Sequence, residues 1–155
     1  MAERKRMLIT GAAGAIGSAL RRHLKDRYDF RLLFHRTIPE DLDPKDEVVV
    51  SDISNFEAMV EACDGEDVIA HLAIFNRWKA MPRSQLAQLT FDVDMKGTYN
   101  IFEAARINKV ETVVFASTNH VTGMNEKNGI QSHPDAPVRP DGIYGAGKAF
   151  AEALG

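Results

Sequence analysis

Three features of the sequence predict a three-layer α/β fold, a doubly wound parallel sheet of five strands in the order 3-2-1-4-5. Short apolar runs alternate with helix-period segments from Met7 onward, and such alternation with right-handed crossovers specifies a parallel sheet covered on both faces. The runs are almost continuously apolar, as in Asp67–Ala73, DVIAHLA, the pattern of strands buried on both sides. Met7–Leu20, MLITGAAGAIGSAL, passes from apolar run through glycines into an amphipathic helix, the joint that offers backbone N–H groups to a phosphate.

The glycines Gly11, Gly14 and Gly17 are spaced G-x-x-G-x-x-G rather than G-x-G-x-x-G. Glycine at a helix entrance also serves close packing alone, but the strand before and the helix after favour a nucleotide-phosphate turn. Ile16, Ala19, Leu20 and Leu24 then recur at helical spacing, with Arg21, Arg22, Lys25 and Asp26 between them, which predicts an amphipathic crossover helix. Phe30–His35, FRLLFH, is the second strand. His35 and Arg36 stand where dinucleotide-binding folds commonly place a ribose-binding acid. A guanidinium holds a 2′-phosphate that a carboxylate repels, so Arg36 favours NADP over NAD.

Thr37–Glu47 carries Pro39 and Pro44 and is a loop; Glu47–Val50, EVVV, is the third strand. Ser54-Asn55-Phe56-Glu57 has the form of a capping box, opening a helix with Phe56, Met59, Val60 and Cys63 on one face and Gly65 at its end. Asp67–Ala73 is the fourth strand, and His71 inside it reads as a satisfied core histidine because no second metal ligand is suitably spaced. Ile74–Arg83, with Trp78, is a loop, and Leu86, Leu89, Val93, Gly97 and Ile101 predict one helix from Ser84 to about Ile107. Gly97 costs that helix about 1 kcal/mol against alanine, which implies close approach of a neighbour. Thr112–Ala116, TVVFA, is the fifth strand. The ligand crevice is expected at the carboxyl ends of strands 1 and 4.

Length and composition set bounds. A chain of 155 residues is one ordinary domain, spanning 1–155, that buries about two thirds of its unfolded surface. With 45% hydrophobic and 26% charged residues and net charge −3, it has no basic patch for nucleic acid. No apolar run approaches the ~20 residues of a membrane span, no signal peptide is visible, and the expected location is the cytoplasm. Cys63 is the single cysteine; in register with the apolar face of its helix, it is core filler rather than a reactive thiol.

From Ser117-Thr118-Asn119-His120 to Gly142 runs a stretch without periodicity, the kind of long connection that is often functional. It leads into Ile143-Tyr144-Gly145-Ala146-Gly147-Lys148, a helix start with Tyr144 and Lys148 one turn apart on one face. A free tyrosine titrates near pH ~10, and an adjacent ammonium lowers that value. Tyr144 would then take the proton of a substrate alcohol while hydride leaves for a nicotinamide. Thr118 would hydrogen-bond the same oxygen.

Together TGAAGAIG at Thr10–Gly17, Asp52-Ile53, HLA at His71–Ala73, KGTYNIFEAAR at Lys96–Arg106 and YGAGK at Tyr144–Lys148 resemble the extended short-chain dehydrogenase/reductase superfamily. Its members are NAD(P)-dependent sugar epimerases, dehydratases and their relatives, on a Rossmann-like fold. FASTNHVTG at Phe115–Gly123 and RPDGIYGAGKAFAEALG at Arg139–Gly155 look like the uronate dehydrogenase branch, which oxidises the anomeric carbon of a hexuronic acid. The resemblance implies that Thr118, Tyr144 and Lys148 are catalytic, Lys148 also binding the ribose. It implies further that Gly11, Gly14, Ala15, Ile16 and Gly17 surround the pyrophosphate, that Asp52 and Ile53 meet the adenine, and that Leu72 and Ala73 line the nicotinamide. Ser117, Asn119 and His120 fall on the substrate side.

Three positions depart from the family pattern: Asp94 stands for an asparagine, Thr118 for a serine, and His35-Arg36 for the ribose-binding acid. Family members continue past the point where this chain ends, with the small part that grips the substrate, so that portion is expected to be absent. The apolar fifth strand then has a bare outer edge, and homo-oligomer formation is expected. The leading function is hydride transfer between a hexuronate-like sugar alcohol and NAD or NADP. The alternatives are a sugar epimerase or dehydratase part using the same base, and a dinucleotide-binding module without turnover.

Overall fold

The computed structural model describes residues 4–75, 81–131 and 133–155; Trp78 lies outside them. The chain forms two compact units, one of Met1–Ile74 with Asn100–Ala116 and the other of Phe75–Tyr99 with Ser117–Gly155.

The first unit holds the sheet: β1 (Lys5–Thr10), β2 (Tyr28–Phe34), β3 (Glu47–Val50), β4 (Val68–His71) and β5 (Thr112–Phe115). Their order is β3-β2-β1-β4-β5, and every neighbouring pair runs parallel. β1 is central, with Ile9 opposite Leu32 on one side and Ala70 on the other. A parallel strand flanked this way is shut off from water on both faces, and Leu8, Ile9, Leu32 and Ile69 have no exposed surface. Met7, Ile9, Phe30, Leu32, Phe34, Val68 and Ala70 form a core with Ala12, against which Leu20 and Leu24 of α1 (Ala15–Leu24) pack. Full burial of each large side chain contributes about 1.5–3 kcal/mol, which holds a ten-residue helix that would be marginal alone.

Two expectations change here. Ile16 is 60% exposed, so the inward face of α1 begins at the next residue, with Gly17 buried and Leu20 and Leu24 partly buried. The helix α2 (Phe56–Cys63) is capped by Asn55, whose side chain accepts from the Ala58 N–H at 3.1 Å, instead of by Ser54. The Asp52 carboxylate already accepts the Ser54 N–H at 2.8 Å, which leaves the cap to the next residue. Cys63 is fully buried, and burial pushes its thiol up to about 12, as core filler requires. Gly65 ends α2 with φ +71°.

The helix expected over Ser84–Ile107 is broken in the structure. α3 (Arg83–Leu89) gives way to a π-helical turn, Thr90–Met95, before α4 (Lys96–Asn108). The Lys96 N–H reaches back five residues to the Phe91 carbonyl, and the inserted residue leaves Asp94 buried, accepting the Phe75 N–H at 2.9 Å. The stretch expected to lack structure after β5 contains a 3-10 turn, Asn119–Val121, and a short helix, α5 (Gly123–Lys127). The last helix is α6 (Ile143–Leu154), with Gly142 at its N-cap.

Candidate functional site

In the first unit the glycine turn is built from backbone. Gly11 has φ +68°, and a Cβ there would lie 2.9 Å from the Ala73 nitrogen. A Cβ at Gly17 would sit 2.7 Å from the Gly11 carbonyl oxygen and 2.8 Å from Ala12 Cα. Neither neighbour can yield, because both are main chain. The Gly14 N–H donates to the Gly11 carbonyl at 2.9 Å, and Gly14 begins α1 with no side-chain cap and no acidic residue in the first turn. Ala13, Gly14, Ala15 and Ile16 are exposed there. An open helix N-terminus with free N–H groups and a positive dipole end suits a dinucleotide pyrophosphate, so the residues present fit the group the motif implies.

Thr10 fixes what faces this turn. Its hydroxyl accepts the N–H groups of both Leu72 and Ala73 at 3.1 Å and donates its own proton to His71 Nδ1 at 2.8 Å. One side chain thereby ties the end of β1 to the end of β4 and sets Leu72 and Ala73 beside Gly11. His71 is 1% exposed and stacks on Phe115, ring centroids 5.8 Å apart, a satisfied core histidine. Thr10 was not assigned a role from sequence; its signal is its place as the last strand residue before the turn.

At the outer end of the same unit, His35 and Arg36 are exposed just past β2. His35 Nε2 lies 3.4 Å from an Asp52 carboxylate oxygen. Burial pushes the Asp52 carboxyl up, but hydrogen bonds from Ser54 and the charges of His35 and Arg36 carry it below its ordinary value. Ile53 is buried and its carbonyl accepts from Asn100 at 2.9 Å, so its side chain serves the core.

The second unit holds the remaining sequence candidates. Lys148, on the inner face of α6, is only 6% exposed, and its Nζ stands 5.9 Å from the centroid of the Tyr144 ring one turn earlier. His120 presents its ring edge-on to the same tyrosine, centroids 5.7 Å apart at 65°. Thr118 accepts the His120 N–H at 3.3 Å and contacts Asn119 Oδ1 at 3.4 Å. Tyr144, Lys148, Thr118, Asn119 and His120 are therefore in one cluster. Ser117 is turned away, its hydroxyl bonded to the Glu152 carboxylate.

Asp141 joins the cluster without any sequence signal of its own. Both its oxygens meet His120 Nδ1, at 2.9 and 3.0 Å, and Lys127 Nζ lies 3.5 Å away. The hydrogen bond from His120 is the main reason its carboxyl is held below the usual range. Among the described residues no group of His, Cys, Asp and Glu has the arrangement of a metal site, and no helix is long and apolar enough to cross a membrane.

The model of the NAD dependent epimerase/dehydratase family matches residues 7–155. The L-arabinose 1-dehydrogenase (NAD(P)(+)) of Haloferax volcanii is 35% identical over 162 residues, 97% of this chain and 59% of that protein. The uronate dehydrogenase of Agrobacterium fabrum is 37% identical over 156 residues, 97% of this chain and 54% of that protein. A crystal structure of uronate dehydrogenase from Agrobacterium tumefaciens, a tyrosine-to-alanine mutant complexed with NAD, superposes with a TM-score of 0.77 at 32% identity, covering 98% of this chain and 55% of the other. The chain thus spans little more than half the length of the relatives it matches.

Proposed function

Because the chain belongs to the NAD dependent epimerase/dehydratase family, we propose that it carries the cofactor-binding and proton-handling residues of an NAD(P)-dependent oxidoreductase for a sugar-type alcohol, hexuronate-like in class. The observation that carries this reading is the buried Lys148 ammonium beside Tyr144, with Thr118 and His120 in the same cluster. A dinucleotide-binding module without turnover has no use for that arrangement.

Gly11, Gly14, Ala15, Ile16 and Gly17 hold the pyrophosphate through main-chain N–H groups, Asp52 and Ile53 bound the adenine end, and Leu72 and Ala73 line the nicotinamide. Arg36, with His35, reaches the adenosine ribose and favours a 2′-phosphate there. Lys148 also holds the nicotinamide ribose. The bound nicotinamide supplies the hydride acceptor. Tyr144 takes the hydroxyl proton of the substrate alcohol, and the Thr118 hydroxyl donates to the same oxygen.

Absorbance of reduced cofactor, followed with D-galacturonate or L-arabinose beside a Tyr144→Phe control, tests the chemistry; equal rates in the two proteins remove Tyr144 as the base. The outermost strands β3 and β5 expose Val50 and Val114, each 54% accessible, and copies of the chain are expected to pair through such edges. A monomeric mass by light scattering at high concentration excludes that pairing.

A further inference from the structure

The contact between His120 and Asp141 bridges 21 positions of sequence, and main-chain contacts reinforce it. The Asp141 N–H donates to the His120 carbonyl at 3.3 Å. A Cβ at Gly145 would sit 2.2 Å from that carbonyl oxygen, so the first turn of α6 is pressed against His120 main chain. The ring is held by the carboxylate at Nδ1 and by a T-shaped contact with the Tyr144 ring. Among the described residues Nε2 has no partner, and the side chain remains 49% exposed.

A carboxylate accepts only, so a neutral His120 against Asp141 carries its proton on Nδ1 and leaves the Nε2 lone pair outward. We propose that Asp141 is a positioning residue that fixes His120 in this tautomer and orientation, so that Nε2 accepts a hydrogen bond from a hydroxyl of the substrate beside the one Tyr144 deprotonates. The inference rests on the sugar-alcohol reading for its ligand and on the second unit's own geometry for its device. It makes the pocket selective for a polyol, because an acceptor left without its hydroxyl donor is penalised. Sequence spacing gives no hint of it, whereas the side-chain geometry does.

Imidazole nitrogen shifts of His120 by NMR, assigned by difference with His120→Gln, test the device without turnover. At pH ~8.5, where an ordinary imidazole is neutral, Nδ1 is expected protonated and Nε2 bare in the unmodified chain. Asp141→Ala is expected to lose that preference, and Asp141→Asn, whose amide oxygen still accepts, to keep it. A protonated Nε2 in the unmodified chain, or the same tautomer in Asp141→Ala with an unchanged far-ultraviolet dichroism spectrum, overturns the proposal.

Adding D-galacturonate with NAD is expected to move the Nε2 signal, and Asp141→Ala to raise KM roughly tenfold with a smaller change in kcat, the size of one lost hydrogen bond. An Nε2 signal that stays put in a protein that oxidises the sugar also overturns it. If no sugar is oxidised, the sugar-alcohol reading fails, and the tautomer still decides the role of Asp141.

Discussion

The glycine turn of the first unit and the Thr118–Lys148 cluster of the second are built on opposite principles. At Gly11 and Gly17 the useful feature is the lack of a side chain, with main chain already within 3 Å of where a Cβ would stand. In the cluster every useful group is a side chain, held by another side chain or by a helix turn: Lys148 under Tyr144, His120 on Asp141. A backbone site is therefore damaged by adding atoms and a side-chain site by removing them. The first kind couples function to stability, since the contacts that present N–H groups to a phosphate are also the packing of β1 on α1. The second lets chemistry be lost while the fold stands.

Removing one oxygen from the cluster should have the largest effect. Tyr144→Phe keeps the ring that packs on His120, so the melting temperature and cofactor affinity are expected to hold while kcat drops roughly 10²–10⁴-fold, the usual worth of a placed proton acceptor. Comparable losses of cofactor binding would show that the two regions are not separable in this way.

Adding one carbon to the turn comes next. Gly17→Ala forces a methyl to within 2.7 Å of the Gly11 carbonyl oxygen, and the rigid neighbours make overpacking cost about 1–3 kcal/mol of stability. Denaturant unfolding and cofactor titration should both register it. A Gly17→Ala protein of normal stability that fails only to bind cofactor would break the link between packing and binding drawn above.

How far each region was legible follows from the same contrast. The sheet order and the turn could be read because they are written in local pattern: apolar runs, glycine spacing, the i, i+4 pair of Tyr144 and Lys148. The π-helical turn at Thr90–Met95 could not, since Leu86, Leu89, Val93 and Ile101 fit a continuous helix and the extra residue is explained only by Asp94 reaching the Phe75 N–H. Asn55 displaced Ser54 as cap because Asp52, outside the capping pattern, accepted the Ser54 N–H first. Ile16 shares the apolar period of α1 yet is exposed, because the first turn of that helix is the open end. Asp141 lies 21 residues from its partner in a stretch without period, so only the folded chain brings them together.

A finer discrimination concerns the cofactor's outer end, where the turn's backbone chemistry gives way to side chains. Arg36→Ala removes an exposed guanidinium, so stability should be unchanged and only the preference among dinucleotides should move. Separate titrations of NAD and NADP are expected to show NADP affinity falling about tenfold, the value of one charge-assisted contact, and NAD affinity staying level. Tighter binding of NAD than NADP by the unmodified chain would refute the role given to Arg36.

The smallest effect separates the two regions by acid. The turn from Gly11 to Ser18 contains no titratable side chain, whereas the cluster relies on the Asp141 carboxylate, which the His120 hydrogen bond holds below its ordinary value. A carboxyl depressed in the folded state stabilises it above the unfolded value, near ~4, and the contribution fades as pH falls through the lower folded value. Below pH ~4, on that reference value, the His120 and Tyr144 ring signals should shift in an acid step while the amides of Gly14 and Ala15 stay in place. Asp141→Asn should abolish the step, because its amide has no proton to gain. The step's survival in Asp141→Asn would assign it to another carboxylate and leave the two regions equally sensitive to acid.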